Sequence, residues 1–569
     1  MSFNINGQAA DQNTFDVIVV GSGMSGGWAA KEFTEQGLQT LVLERGRDVV
    51  HGKDYPTAML EQWQFPHRME MHPDVAKENP VISRCYAYNE TTEHFFVKDK
   101  EHPWEQTKPF DWIRGYQVGG KSLMWARMTQ RWGQMAFEEN GKDGYGVEWP
   151  ISYEDLAPWY SHVEKFIGIQ GNRDGHPQVP DGEFLPAMPL NCVEEHFLEA
   201  VEGKFPDRSV IISRSANLSQ AHNGRGACQY RSRCERGCPY GAYFSSNSST
   251  LPAAYKTGNL TLRPFSVVHS VIYDEATQKA TGVRVVDTNT KEMMEYYAKI
   301  IFLNAGTLNT TLVLLNSTSD RYPNGLGNDH DILGRYLMDH NYRGRLSARH
   351  DGFRDKTTFG RRPSGVYIPR FRNVGKDQTD QFLRGYAFSG GAGRGVGGDM
   401  SEVAQGFGTD FKNKMFEPGL WGLYLTGMGE CLPYHDNRVT LSTTQTDQWG
   451  IPLLNIDCEY KENEVSMVKD LLETGAEMLE AAGFKDVNPV DTEQAPGLGI
   501  HEMGSARMGK DPKTSILNKY NQVHDVKNVF VTDGACMTSS SYQNPSLTYM
   551  ALTARAANYA MDELKKMNL

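Results

Sequence analysis

The stretch DVIVVGSGMSGGWAAKEFTEQGLQTLVLERG, residues 16–46, constrains this chain more than any other. A β-branched apolar run, Val17 to Val20, enters Gly21-x-Gly23-x-x-Gly26; a helical stretch rich in Ala, Lys and Glu follows, and a second apolar run, Thr40 to Leu43, ends in Glu44. That order predicts a βαβ unit. Gly21 permits a tight turn, Gly23 lets a pyrophosphate approach the backbone, and Gly26 lets helix and strand pack closely. The helix N-terminus offers unpaired N–H groups and a positive dipole end to phosphate. Glu44 stands where the end of the second strand presents a carboxylate to both hydroxyls of an adenosine ribose, so a ribose without a 2′-phosphate is expected. Strand, glycines, helix and acid together predict a dinucleotide site, with an ordinary βαβ turn as the alternative. The motif alone does not separate FAD from NAD, and its place near the start of a long chain favours FAD.

The 569 residues exceed the size at which a single core stops growing, so two domains are expected. A net charge of −12 argues against nucleic acid or an anionic membrane as a partner. No apolar run reaches the length of a membrane span, and the opening MSFNINGQAADQNTFD has neither the basic nor the apolar region of a secretion signal, so by its own sequence the chain reads as cytoplasmic. Cys85, Cys192, Cys431, Cys458 and Cys536 are scattered singly and suit buried thiols, so a disulfide framework is not expected.

Residues 49–108 are irregular and aromatic-rich and are expected to wrap the surface or cover the cofactor. In FDWIRGYQVGGKSLMW, residues 110–125, the paired Gly119 and Gly120 permit close backbone approach to a ligand or form a plain tight turn. Ser152 followed by Glu154 and Asp155 predicts a capped helix running through Phe166. Cys228, Cys234 and Cys238 lie in one compact loop with a proline after the last, a spacing that suits an iron–sulfur cluster held by soft sulfur ligands. A zinc site completed elsewhere and buried thiols beside the cofactor are the alternatives. The flanking Arg225, Arg231, Arg233 and Arg236 would offset cluster charge or solvate the loop. LTLRPFSVVHSVIYD from Leu260 and the later GVRVVD suggest antiparallel strands, and KIIFLNAG from Lys299 a buried strand into a turn. From about Arg343 to Pro496, period-two stretches predict an antiparallel sheet for the substrate domain, and the glycine-heavy FSGGAGRGVGGDM, residues 388–400, a mobile substrate loop. Glu462 to Ala482 reads as an amphipathic helix.

The reaction is expected near the C-terminus. Oxidation of an alcohol by a flavin needs a base for the hydroxyl proton while hydride leaves carbon, and histidine titrates in the right range. Of the sixteen histidines, His501 stands out between Gly499 and Gly504. Asn544 and Pro545 suit the start of a terminal helix whose positive end would face the flavin N1 and C2 carbonyl. His340 has a catalytic reading and a hydrogen-bonded structural one, of which the second is preferred.

Four motifs in order, the Gly21 unit, RGYQVGGKSLMW, WPISYEDLAPWYSHVEKFIGIQG, and the pair HEMGSARMG and NPSLTYMAL, resemble the glucose-methanol-choline (GMC) family of FAD oxidoreductases over nearly the whole chain, closest to its bacterial glucoside 3-dehydrogenase and pyranose 2-oxidase-like branch. The resemblance implies a mixed α/β (α+β) fold. A Rossmann-like FAD-binding domain from residues 1–50, 109–135, 225–342 and 498–569 would interleave with a substrate domain and cap segments from 51–108, 136–224 and 343–497, built on an antiparallel sheet. It implies His501 as active-site base, with Asn544 at the partner position; an amide donates to the alkoxide-like oxygen but is no base. It further implies a backbone adenine contact near Val268, and Asp533 with the Gly534 backbone near the ribityl and pyrophosphate. Some members carry, at the position of Met124, a histidine covalently linked to the flavin; methionine cannot form that bond, so FAD is expected to be non-covalent. The Cys228, Cys234 and Cys238 spacing matches relatives in which three cysteines hold a [3Fe-4S] cluster. The implied activity is oxidation of a sugar or glycoside at a secondary ring hydroxyl, C3 of glucosides in the closest branch. Electrons would pass to an external acceptor through a small subunit and a cytochrome c, and export to the periplasm would follow if that subunit carries the signal. An oxygen-using pyranose or C-glycoside oxidase and a non-catalytic flavin-binding protein are the alternatives.

Overall fold

The computed structural model describes residues 13–358, 360, 365–396 and 407–569. The Asp16–Gly46 stretch folds as strand Thr14–Val20, helix Met24–Glu35 and strand Thr40–Leu43. The two strands lie parallel, Val17 opposite Thr40 and Val20 opposite Leu43. They sit inside a sheet ordered Gln522–Val523, Val526–Val531, Met293–Leu303, Thr14–Val20, Thr40–Leu43, Leu260–Arg263, to which strands Ser266–Asp274 and Lys279–Asp287 attach as an antiparallel meander on Met293–Leu303. The segments 17–20, 41–43, 300–303 and 529–531 at its centre are apolar on both faces, as a covered parallel sheet requires. Val17, Val19, Val42, Ile300, Phe302 and Phe530 pack on one side, where Ala29, Ala30, Ala556 and Ala557 of helices Met24–Glu35 and Ser546–Lys565 let backbones come close. Ile18, Val20, Leu41, Leu43, Ile301 and Leu303 face a second, larger core. Each such burial stabilises by about 1.5–3 kcal/mol.

The strand LTLR, expected to be antiparallel, runs parallel to Thr40–Leu43, with Leu41 opposite Thr261. Its four residues are too few to show their partner; only Ser266–Asp274 and Lys279–Asp287 form the hairpin, turning at Gln278 with φ 55°. The helix expected after Ser152 spans Tyr153–Ile167, and Ser152 and Asp155 cap each other's backbone N–H groups.

A second, six-stranded antiparallel sheet contains Gly344–His350, Val366–Ile368, Tyr386–Val396, Pro418–Gly429 and Lys485–Asp491 with the short Ile211–Ile212. Helix Glu462–Ala481 covers one face: a Cβ on Gly427 would stand 2.1 Å from Leu471 Cδ1. The expected mobile loop at 388–400 is corrected here. Through Val396 it is a central strand, with Phe388 opposite Gly427 and Gly390 opposite Leu425; residues 397–400 lie outside the described set. Gly390 answers close packing between strands, since a Cβ there would meet the Tyr424 carbonyl at 2.0 Å, whereas Gly393 and Gly395 have no neighbour within 4 Å of an added Cβ.

Candidate active site

One continuous cavity runs from the Gly21 turn, between the two sheets, to the N-terminus of helix Ser546–Lys565. Gly21, Gly23, Glu44 and Val268 line its first end. Gly26 does not; it is a packing glycine, because a Cβ there would lie 1.9 Å from the Gly21 carbonyl oxygen. Glu44 accepts from Ser22 Oγ at 2.6 Å and from the Gly46 N–H at 3.0 Å, which aims the carboxylate and leaves lone pairs for further donors. Burial raises its pKa.

The Gly119–Gly120 turn lies against the first: Gly119 donates its N–H to Ser22 Oγ at 2.9 Å, and a Cβ on Gly120 would be 3.4 Å from Gly23 Cα. Gly119 has φ 95° and packs on Asn247, away from the cavity, while Gly120 and Met124 line it. Asp533 and Gly534 line the middle. The Asp533 carboxylate accepts from the N–H groups of Gly306 (2.9 Å) and Ala535 (3.0 Å) and from Thr310 Oγ1 (2.5 Å), and burial pushes its pKa up to about 6. It joins the last strand of the parallel sheet to the turn after Leu303.

At the far end His501 and Asn544 meet, Asn544 Nδ2 standing 3.5 Å from His501 Nε2, and both line the cavity. Pro545 does not line it. The helix begins at Ser546 with Pro545 as its N-cap, one residue later than expected, and Asn544 is left free to face His501. Asp339 explains Gly499: its carboxylate accepts the N–H groups of Gly497 (2.8 Å), Gly499 (3.0 Å) and His501 (3.0 Å), and a Cβ on Gly499 would lie 2.7 Å from it, whereas a Cβ on Gly504 would meet the Tyr336 carbonyl oxygen at 2.1 Å. Burial nevertheless pushes the Asp339 pKa up to about 6, with Glu502 nearby adding to the rise. Ile500, just before the base candidate, has φ 61°, a costly conformation for a β-branched residue that the clamp on both sides enforces. Behind His501 the fully buried His340 holds Nδ1 to Nδ1 at 2.8 Å, and its Nε2 lies 3.1 Å and 2.9 Å from the carbonyl oxygens of Ser540 and Ser541. Protein surrounds His501 wherever it does not open into the cavity. Burial first, then His340 and Lys121, lowers its pKa well below the ordinary value.

The two halves of the GMC oxidoreductase family match residues 15–342 and 433–553. The chain belongs to this family. As a GMC oxidoreductase it is an FAD-dependent enzyme acting on CH–OH groups. It is 28% identical to 2-methyl-1,2-propanediol dehydrogenase of Mycolicibacterium austroafricanum, over 97% of this chain and 95% of that protein. It is 25% identical to the fructose dehydrogenase large subunit of Gluconobacter japonicus, over 97% and 98%. Formate oxidase of Aspergillus oryzae RIB40 shares the fold, with a TM-score of 0.61 and 14% identity over 98% of this chain and 99% of that one.

The GMC oxidoreductase cavity fits FAD on its own geometry. A Cβ on Gly23 would have no neighbour closer than 4.0 Å and one on Gly306 none within 4 Å, so both backbones are bare toward the cavity. Buried Tyr549 Oη and Glu502 Oε1 also line it without partners. The three-cysteine loop lies outside the lining of this cavity. Among the described residues no group of three or more His, Cys, Asp or Glu side chains converges as a metal site. Cys228, Cys234 and Cys238 are free, partly buried thiols that do not line the cavity. The arginines expected to balance cluster charge or solvate the loop instead tie it to the cap. Arg231 Nη2 donates to the Ala58 carbonyl at 2.6 Å, Arg236 Nη1 to Leu60 at 3.0 Å, and Arg233 pairs with Glu61.

Sequence reasoning missed several lining residues. Tyr86 comes from the irregular cap, Arg127 follows the glycine turn, Tyr342 follows His340, and Ser389 and Met428 come from the antiparallel sheet. Arg127 is buried with Nε and Nη1 unpaired, and Tyr342 lies under the Arg345 guanidinium at 3.6 Å. Only Arg127 had a visible signal, its place just beyond the glycine turn; the others are brought in by distant segments. Among the described residues no helix is long and apolar enough to cross a membrane.

Proposed function

We propose that this GMC oxidoreductase is a dehydrogenase that oxidises a secondary ring hydroxyl of a sugar or glycoside, C3 of a glucoside, and passes the electrons to an external acceptor. The observation that carries the reading is the meeting of His501 Nε2 and Asn544 Nδ2, 3.5 Å apart, at the end of the cavity away from the glycine turn. His501 accepts the hydroxyl proton, a contribution of about 10²- to 10⁴-fold. Its lowered pKa keeps it unprotonated at neutral pH. Asn544 donates to the same oxygen as negative charge gathers on it. FAD, when bound, supplies the hydride acceptor at N5. Met124 brings no nucleophile to the cavity, which supports non-covalent binding.

The C3 position rests on the likeness of DWIRGYQVGGKSLMW, the cysteine-loop segment and LGRYLMDH to the glucoside 3-dehydrogenase branch. That a relative is named as a large subunit supports a small partner subunit; a cytochrome c acceptor and export alongside a signal-bearing subunit rest on the family resemblance alone. No step is routed through the cysteine loop. Anaerobic mixing with a panel of glucosides and free sugars is the test: bleaching of the flavin with formation of a 3-keto sugar is expected. Bleaching by none of them would leave a flavin-binding protein, and fast reoxidation by oxygen with hydrogen peroxide release would make the enzyme an oxidase. Iron and labile sulfide in protein purified without oxygen, in the proportion of a [3Fe-4S] cluster, would add the relay at Cys228, Cys234 and Cys238 that the resemblance implies; their absence would remove it.

A further inference from the structure

We propose that His340 is a positioning residue that holds His501 in the tautomer with hydrogen on Nδ1 and the lone pair on Nε2, toward Asn544 and the cavity. The inference rests on the reading of His501 as base and deepens it.

The assignment follows from which partners can only accept. His340 Nε2 faces two carbonyl oxygens, of Ser540 at 3.1 Å and Ser541 at 2.9 Å, and neither has a proton to give. Nε2 of His340 therefore carries hydrogen. A second proton on its Nδ1 would put an uncompensated cation in a fully buried position. The nearest carboxylate along the chain, Asp339, is spent on the backbone N–H groups of Gly497, Gly499 and His501. Tyr460 reaches only the His340 carbonyl, donating its hydroxyl at 2.8 Å. Lys121, which faces His501 and pairs with Glu502 at 2.7 Å, is a cation and so disfavours a further positive charge on the pair. His340 is thus neutral, in keeping with a pKa pushed down to about 4 by burial. Its Nδ1 is an acceptor, so His501 Nδ1–H donates across the 2.8 Å contact. The rings meet edge to face, at 89°, which leaves His501 free of stacking on that side.

Two consequences follow. The basic nitrogen of His501 is fixed before substrate arrives, which removes the cost of selecting a tautomer. The proton taken from substrate also stays on His501. To pass it on, His340 would have to release its own Nε2 hydrogen to a peptide carbonyl, which is not a base. A neutral orienting group differs from a carboxylate in that it adds no charge to raise the pKa of its partner.

The test uses FAD-loaded enzyme in three forms: wild type, His340→Leu and His340→Asn. The His340→Leu variant should reduce its flavin about 10- to 100-fold more slowly with saturating sugar. Its flavin spectrum and its apparent Kd for the sugar should stay within about twofold of wild type, an estimate from the absence of His340 among the cavity-lining residues. His340→Asn returns an acceptor oxygen near the place of Nδ1 and should recover part of the rate. Nitrogen-15 spectra of histidine-labelled wild type, with the His501 signals identified by their loss in His501→Ala, should show Nδ1 of His501 as protonated and Nε2 as a lone-pair nitrogen. That measurement needs no His340 variant to fold. A protonated Nε2 on His501, or a His340→Leu enzyme as fast as wild type, would overturn the inference. Full-speed reduction in His501→Ala would instead remove the base reading on which it stands.

Discussion

At the nucleotide end of the cavity the groups come mostly from one βαβ unit, Gly21, Gly23 and Glu44, and what they present is largely bare backbone. At the reaction end the groups are side chains drawn from three separate stretches of chain, Asp339 with His340, then His501, then Asn544. His501 is hung from Asp339 by the N–H of its own residue, backed by His340, and faced by Asn544 from the loop before the last helix. The first end is specified by the absence of side chains and the second by their mutual satisfaction. The two should therefore fail differently: the nucleotide end by losing its cofactor, the reaction end by losing rate with the cofactor in place.

The largest effect is expected from Gly26→Ala, whose methyl would overlap the Gly21 carbonyl oxygen. The purified protein should carry no flavin absorbance, or fail to fold; a yellow, active variant would show the turn to be more pliant than its packing implies. Next comes Asn544→Ala, which removes the amide that faces His501 Nε2. Flavin should stay bound while the anaerobic reduction rate falls about 10²- to 10³-fold, the usual loss for one donor to a developing oxyanion. Loss of flavin there would erase the contrast between the ends. The smallest effect concerns pH. An exposed histidine base loses activity as pH falls through about 6.5. The pKa of His501 is held well below that value by burial, so its neutral form persists, and the reduction rate should change less than about twofold between pH 8 and pH 6.5. A midpoint at or above 6.5 would mean that the imidazole is solvated or paired with a negative charge in the working enzyme.

The same contrast governs what the sequence disclosed. The βαβ unit was legible because its determinants are contiguous: alternating faces, three glycines and an acid at a fixed distance. The capped helix Tyr153–Ile167 and the long helix Glu462–Ala481 were legible for the same reason. His501 was found through its glycines, though the reasons for them, Asp339 beside Gly499 and the Tyr336 carbonyl beside Gly504, needed coordinates. The partnership of His340 with His501 spans a separation of 161 residues, and nothing in either segment announces it. Glycine was also the chief source of error. In Phe388–Val396 it was read as freedom, whereas the segment is a paired strand in which Gly390 has no room for a Cβ. The cysteine loop shows the same limit, since its spacing does not disclose the arginines that tie it outward to Ala58, Leu60 and Glu61.

The role of His501 as base is tested most directly by rapid mixing of FAD-loaded His501→Ala with sugar in the absence of oxygen. Flavin should remain bound with an unchanged oxidised spectrum, and its reduction should be slower than in wild type by about 10²- to 10⁴-fold. Reduction within a few-fold of the wild-type rate would contradict the account, because it would leave the meeting of His501 and Asn544 at the end of the cavity without chemical purpose.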